Sequence, residues 1–123
     1  MMNKDMLNHA HHVSENELYD AYKIFFGTLV SESRLRIMNL LLEGKKNVSD
    51  IMRKLKMDQT SVSHNLARLK RCGFVSSQVV GKYRYYKIND DTIKPLMGMI
   101  EKHMGQYCVH ILHYLNGEHE HGK

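Results

Sequence analysis

Asp58-Gln59-Thr60-Ser61-Val62-Ser63-His64-Asn65-Leu66-Ala67-Arg68-Leu69-Lys70-Arg71-Cys72-Gly73 is the stretch that decides the fold. Asp58 offers the side chain of a helix N-cap and Gly73 the backbone freedom of a helix stop, so the spacing predicts a helix from Gln59 to about Arg71. Val62, Leu66 and Leu69 fall at i, i+4 and i+7, which docks that helix by a narrow apolar stripe. The other faces carry Gln59, Thr60, Ser61, Ser63, His64, Asn65 and Arg68.

Downstream, Phe74 to Val80 reads as extended, Gly81-Lys82 as a turn, and Tyr83 to Ile88 as extended again, a β-hairpin by its β-branched and aromatic content. Upstream lies a short helix from Ser49 to Lys56 that buries Ile51, Met52 and Leu55. Before it, Arg34 to Glu43 is helical with Leu35, Met38, Leu41 and Leu42 on one side and Gly44 at its end. Ser14 with Glu17 is a capping box opening a first helix to about Val30, whose apolar face is Leu18, Tyr22, Phe25, Phe26 and Leu29. A last helix runs from about Thr92, as N-cap, to Leu115, with Pro95 tolerated in its first turn. In it Ile93, Met97, Ile100, Met104, Tyr107, Ile111 and Tyr114 alternate steps of four and three, a seam suited to a helix of a second copy across a twofold axis. The dimer-interface expectation is Ile93, Met97, Ile100, Met104, Tyr107 and Ile111.

The order helix, helix, short helix, helix, hairpin, helix predicts a mainly α protein with one small β-hairpin, a winged helix-turn-helix whose hairpin is the wing. Residues 14–115 form that single domain; 1–13 are a flexible His- and Met-rich segment and 116–123 a polar His-containing tail. Hydrophobic residues at 42% suffice for a core. No apolar run approaches the ~20 residues of a membrane span, and no signal peptide is visible, so a cytoplasmic location without membrane contact is expected. Two cysteines make neither a disulfide framework nor a CxxC metal pair. Eighteen Lys and Arg against thirteen Asp and Glu give a formal charge of +5. The excess is concentrated: between Lys45 and Lys87 the only acids are Asp50 and Asp58. A basic middle between acidic flanks favours double-stranded DNA as partner.

Residues 15–115 resemble the ArsR/SmtB family of small winged-helix repressors. The resemblance rests on Ser33-Arg34-Leu35-Arg36-Ile37, on Gln59 to Lys70, on Gly73-Phe74-Val75, and on the wing Gly81-Lys82-Tyr83-Arg84-Tyr85-Tyr86-Lys87-Ile88. It implies an obligate homodimer through the first and last helices, a fourth helix in the major groove, and a repressor that leaves its operator when an effector binds. The family's zinc site on the last helix is not matched: Asp91 stands at its first position, but Ile93, Met104 and Tyr107 fill the other three. Its thiolate site on the third helix is absent, since residues 47–56 hold no cysteine.

For DNA contact the candidates are Gln59, Thr60, Ser61, Ser63, His64, Asn65 and Arg68 on the fourth helix, with Lys82 and Arg84 on the wing. Gln59 suits a bidentate bond to adenine; short hydroxyls reach phosphates or base edges; the wing cations suit backbone phosphate. The competing reading makes the hydroxyls a cap and a solvated surface. For a metal effector the candidates are His103, His110 and His113; His110 and His113, one turn apart, suit zinc, nickel or cobalt, against the plainer reading of histidines that only solubilise a helix. Cys72 reads as core filler and Cys108 as packing or a sensor thiol. A His-rich metal carrier and a winged helix that binds only protein are the alternatives to a DNA-binding repressor. No nucleophile–base pair, paired carboxylates or phosphate-binding glycine loop points to an enzyme.

Overall fold

Side-chain caps start the first four helices and fix where each begins. Ser14 Oγ accepts from the Glu17 amide and Glu17 Oε1 accepts from the Ser14 amide, both at 3.2 Å, opening α1 (Glu15–Leu29). Ser31 Oγ accepts from the Arg34 amide at 3.3 Å and opens α2 (Glu32–Leu41). Asn47 and Asp50 form a second reciprocal box, at 2.8 and 3.3 Å, for α3 (Val48–Leu55). Asp58 Oδ1 accepts from the Ser61 amide at 2.7 Å and opens α4 (Gln59–Arg71). Each such cap stabilises by about 1 kcal/mol. The computed structural model describes residues 13–117; the N-terminal segment and most of the C-terminal tail, with their histidines, lie outside the described residues.

α2 therefore starts two residues before the expected Arg34, because Ser31 rather than the Ser31–Ser33 stretch as a whole punctuates the chain. β1 (Lys46–Asn47) was not expected from the sequence; it pairs antiparallel with β3 (Tyr83–Ile88), Lys46 opposite Tyr86 and Asn47 opposite Tyr85. β3 also pairs with β2 (Val75–Val80), from Val75 opposite Ile88 to Val80 opposite Tyr83. The sheet order is β1-β3-β2, and Gly81 at φ +64° closes the two-residue turn of the hairpin. The wing is thereby anchored at its base to the start of α3, not only to its own neighbour strand.

Thr92 does not cap the next helix with its side chain, contrary to expectation. Asn89 instead orders the turn before that helix: its Oδ1 accepts from the amides of Asp91 and Thr92 at 3.0 and 3.2 Å, while its Nδ2 donates to Gly73 O at 3.0 Å. The single long last helix is corrected too. The chain breaks at Tyr107 (φ −128°, ψ −62°) into α5 (Ile93–Gln106) and α6 (Cys108–Leu115).

The core gathers Ile37, Met38 and Leu41 of α2, Ile51 of α3, Val62, Leu66 and Leu69 of α4, and Phe74, Val75 and Ile88 of the hairpin. Ile93 and Met97 belong to it. Both are at least 95% buried within one chain, which leaves little of their surface for the expected dimer seam. Ile100 is half-buried, and from Glu101 to Asn116 every residue is exposed.

Candidate nucleic-acid interface

An α-helix turns about 100° per residue, so α4 divides into two arcs. Val62, Asn65, Leu66 and Leu69 are buried, and Gln59, Thr60, Ser63, His64, Ala67, Lys70 and Arg71 are exposed. The exposed set spans an arc of about 140° along the helix. It begins at the helix N-terminus, where backbone N–H groups and the dipole favour an anion. The last turn carries Arg68, Lys70 and Arg71, the first turn no acid.

Two of the expected DNA contacts are turned inward. Asn65 is buried; its Nδ2 donates to Ser61 O at 2.9 Å and its Oδ1 accepts from Arg34 Nη1 at 3.3 Å. Arg68 is half-buried, and its Nε donates to Thr28 Oγ1 at 3.1 Å. Ser61 is half-buried as well, tied by its amide to Asp58. These residues set the helix rather than extend from it. Arg34 Nε and Nη2 donate to the carbonyls of Thr28 and Gly27 at 2.8 and 3.1 Å, placing a cation at the carbonyl end of α1. Thr28, fully buried, donates from Oγ1 to Ile24 O at 2.8 Å and lies 3.3 Å from Cys72 Sγ. Arg34, Thr28, Asn65 and Arg68 thus lock α1, α2 and α4 in one rotation. Charged hydrogen bonds of this kind contribute about 1.5–3 kcal/mol each.

On the wing, Lys82 and Arg84 are exposed, and Arg84 Nη1 donates to Ser77 Oγ across the hairpin at 3.2 Å. Tyr85 packs under Lys45, whose Nζ sits 5.3 Å from the ring centroid. Sequence reasoning missed three cations near α4. Lys70 and Arg71 lie on its outer arc, and Lys56, exposed, stands two residues before Asp58 at φ +55°, ψ +47°. It is the only non-glycine residue at positive φ among the described residues. The left-handed geometry turns α3 into α4 in three residues, Lys56 to Asp58, and no sequence signal short of a glycine would announce it.

The histidine candidates are placed apart. His103 is on α5 with its ring 4.7 Å from that of Tyr107, while His110 and His113 are on the exposed α6 beyond the break. Among the described residues no group of three His, Cys, Asp or Glu side chains stands close enough to share a metal ion. Cys72 is half-buried and Cys108 exposed. Among the described residues no helix is long and apolar enough to cross a membrane.

A family model described as "Bacterial regulatory protein, arsR family" matches residues 31–77, which run from the cap of α2 into β2. The uncharacterized HTH-type transcriptional regulator MJ1325 of Methanocaldococcus jannaschii is 32% identical over 87 residues, covering 70% of this chain and 98% of that one. The arsenical resistance operon repressor of Bacillus subtilis is 28% identical over 85 residues, 68% of this chain and 81% of the repressor. Among solved structures, a homodimeric winged helix-turn-helix DNA-binding domain, Mb0332 of Mycobacterium bovis, superposes with a TM-score of 0.71 at 26% identity, covering 79% of this chain and 90% of that one.

Proposed function

The chain belongs to the ArsR family of bacterial regulatory proteins, and from that premise we propose that it is a homodimeric repressor gripping an inverted-repeat DNA operator with two copies of α4. The observation that carries this reading is the exposed arc of Gln59, Thr60, Ser63, His64, Lys70 and Arg71, polar or cationic apart from the small Ala67 among them, on a helix whose rotation is locked from behind. Gln59 reads a base edge, the hydroxyls of Thr60 and Ser63 and the N-terminal amides take phosphate, and Lys56, Lys82 and Arg84 hold the backbone on either side. Asn65 and Arg68 support this surface and do not contact DNA. The twofold axis lies along α1, α5 and α6, where Met104, Tyr107 and Ile111 are exposed.

The location this implies is the cytoplasm, and the work is binding rather than catalysis. A metal effector has weaker support: a His110–His113 centre needs further ligands from the partner or from the terminal segments. Zinc, nickel and cobalt remain the ions whose chemistry fits imidazoles alone.

Fluorescence anisotropy on a duplex from upstream of the coding sequence tests the reading. Gln59→Ala relaxes the preference among operator variants by roughly 1–3 kcal/mol. Lys82→Ala weakens all duplexes alike and flattens the salt dependence by roughly one phosphate's slope. Preference unchanged in Gln59→Ala would remove base readout from that residue. No salt-dependent binding of any duplex would remove the DNA-binding reading itself.

A further inference from the structure

A cleft of about 850 Å³ opens between α1 and the C-terminal end of α4. Phe74, buried, and Phe25, half-buried, line its inner side with ring centroids 5.1 Å apart. Tyr22 and Phe26, both exposed and stacked at 6.3 Å, line its α1 side. A concave space of this size, apolar with a few polar groups at one edge, is how sites for small organic ligands are built.

The charge on that edge is of one sign. Arg68 and Arg71 stand one turn apart on α4, so both reach the same side of the cleft. No acid lines it, and among the described residues neither arginine forms an ion pair with a carboxylate. The apolar last helix of a second copy would bring no counter-charge, since Cys108 to Leu115 includes no Asp or Glu. An apolar body with one anionic head satisfies both parts of the lining, and a guanidinium fork matches a carboxylate bidentately. We propose that the cleft binds a small carboxylate on a hydrocarbon body, with the body against Phe25, Phe26 and Phe74 and the head between Arg68 and Arg71.

Occupancy of this site acts on the recognition helix. Arg68 is the tie from α4 to α1: its Nε donates to Thr28 Oγ1 at 3.1 Å, and Thr28 is fully buried. A carboxylate at Arg68 competes with Thr28 for the guanidinium. The bond from Arg34 to Asn65, at 3.3 Å, is then the polar tie left behind the helix. The ligand thereby favours a setting of α4 other than the one offered to DNA, by no more than its difference in affinity for the two. That consequence rests on the DNA-binding reading above; the site itself does not.

Sodium decanoate is the probe, on the full-length protein, with 1-decanol and inorganic phosphate as its apolar and anionic halves. Calorimetry is expected to show saturable binding of decanoate with a dissociation constant below about 0.1 mM, and binding of either half at least about tenfold weaker. Arg71→Gln, at an exposed position, is expected to weaken decanoate at least about tenfold. In Cys108→Ser protein, whose one remaining thiol is Cys72 on the cleft edge, decanoate is expected to slow maleimide alkylation at least about tenfold. Operator affinity of the wild type should fall at least about fivefold with decanoate and hold with decanol. Equal binding of decanol or phosphate, undiminished binding in Arg71→Gln, or an unprotected Cys72 overturns the site. Failure to bind below about 1 mM overturns it as well, and Cys72 alkylation that then quickens on dilution identifies a second copy as the occupant. Decanoate bound with operator affinity unchanged overturns the coupling and keeps the site. Absence of binding to any duplex removes the DNA reading, while calorimetry still decides the site.

Discussion

The chain from Arg34 to Met97 and the chain after it obey different rules. From Arg34 to Met97 apolar side chains other than Val79, Val80 and Tyr83 at the wing tip mostly find partners within the chain: Ile37, Met38, Ile51, Val62, Leu66 and Leu69 have no exposed surface. After Met97 the residues are as apolar, with Met104, Tyr107, Ile111, Leu112 and Leu115 in close succession, yet each is at least 40% exposed. Hydrophobicity alone therefore does not say whose core a residue joins. The first region closes on itself because α2, α3, α4 and the hairpin surround a common centre; in the second, every residue from Glu101 to Asn116 is exposed. The difference is that between a folding unit and an assembly surface.

The comparison breaks most visibly at Leu66. Leu66→Ala leaves a cavity under the middle of α4 and is expected to lower stability by about 2–5 kcal/mol, read as a drop in the urea midpoint with the slope unchanged. A cost below about 1 kcal/mol would mean that this region is not the closed core described. Met104→Glu is the matching change in the second region. Met104 is 40% exposed and off the core cluster, so the single chain should fold as before. Its dimer dissociation constant is expected to rise at least about tenfold, equal to 1.4 kcal/mol, by analytical ultracentrifugation. Unfolding on this substitution would erase the distinction between the two regions.

How much of this was readable beforehand follows the same division. The bounds of α4 and β3 and the first capping box agree with expectation because cap, stop and periodicity are local. Asn65 is buried and Arg68 half-buried although polar type alone points both outward. Spacing carried the better signal: positions 62, 65, 66 and 69 are one stripe, and a polar residue on it is held by others. The holding roles of Thr28 and Arg34 had no local signal, since the partners they meet in α4 and at Cys72 are 31 to 44 residues away in the chain. The break at Tyr107 was invisible for another reason. Apolar periodicity runs unbroken through 104, 107 and 111, and it reports which face is apolar, not whether the backbone continues.

Lys56 sharpens the comparison on a smaller scale, because here the closed region stores strain at its functional edge. A non-glycine residue in the left-handed region costs about 1 kcal/mol or slightly more. Lys56→Gly is expected to stabilise the fold by no more than about 1 kcal/mol, offset in part by the entropy glycine adds to the unfolded chain. It should also weaken duplex binding uniformly and reduce the salt slope, since a cation beside the α4 N-terminus is gone. Loss of stability would show that the lysine side chain does more for the turn than its backbone costs.

The smallest effect is expected where the two regions join. Lys87, at the end of β3, and Asp90, before α5, form an ion pair with Nζ to Oδ2 of 2.9 Å, half-exposed on both sides. The hydrogen bond and charge of Lys87 hold the Asp90 carboxyl below the usual carboxylate range, and the same contact raises Lys87. A carboxyl lowered on folding contributes stability above its unfolded pKa, and that contribution fades as pH falls through the folded value. A lysine raised on folding contributes below its unfolded pKa and loses the contribution as pH climbs through the folded one. The pair is thus intact across the neutral range and lost at either extreme, and salt screens it because solvent surrounds it. In Asp90→Asn the acid limb attributable to this residue should vanish, with thermal stability at pH 7 hardly moved. Carbon-13 titration of the Asp90 carboxyl in the wild type checks the direction directly. A midpoint at or above that of an unfolded aspartate would dissolve the pair, leaving the Asn89 side chain as the tie between the end of α4 and the turn before α5.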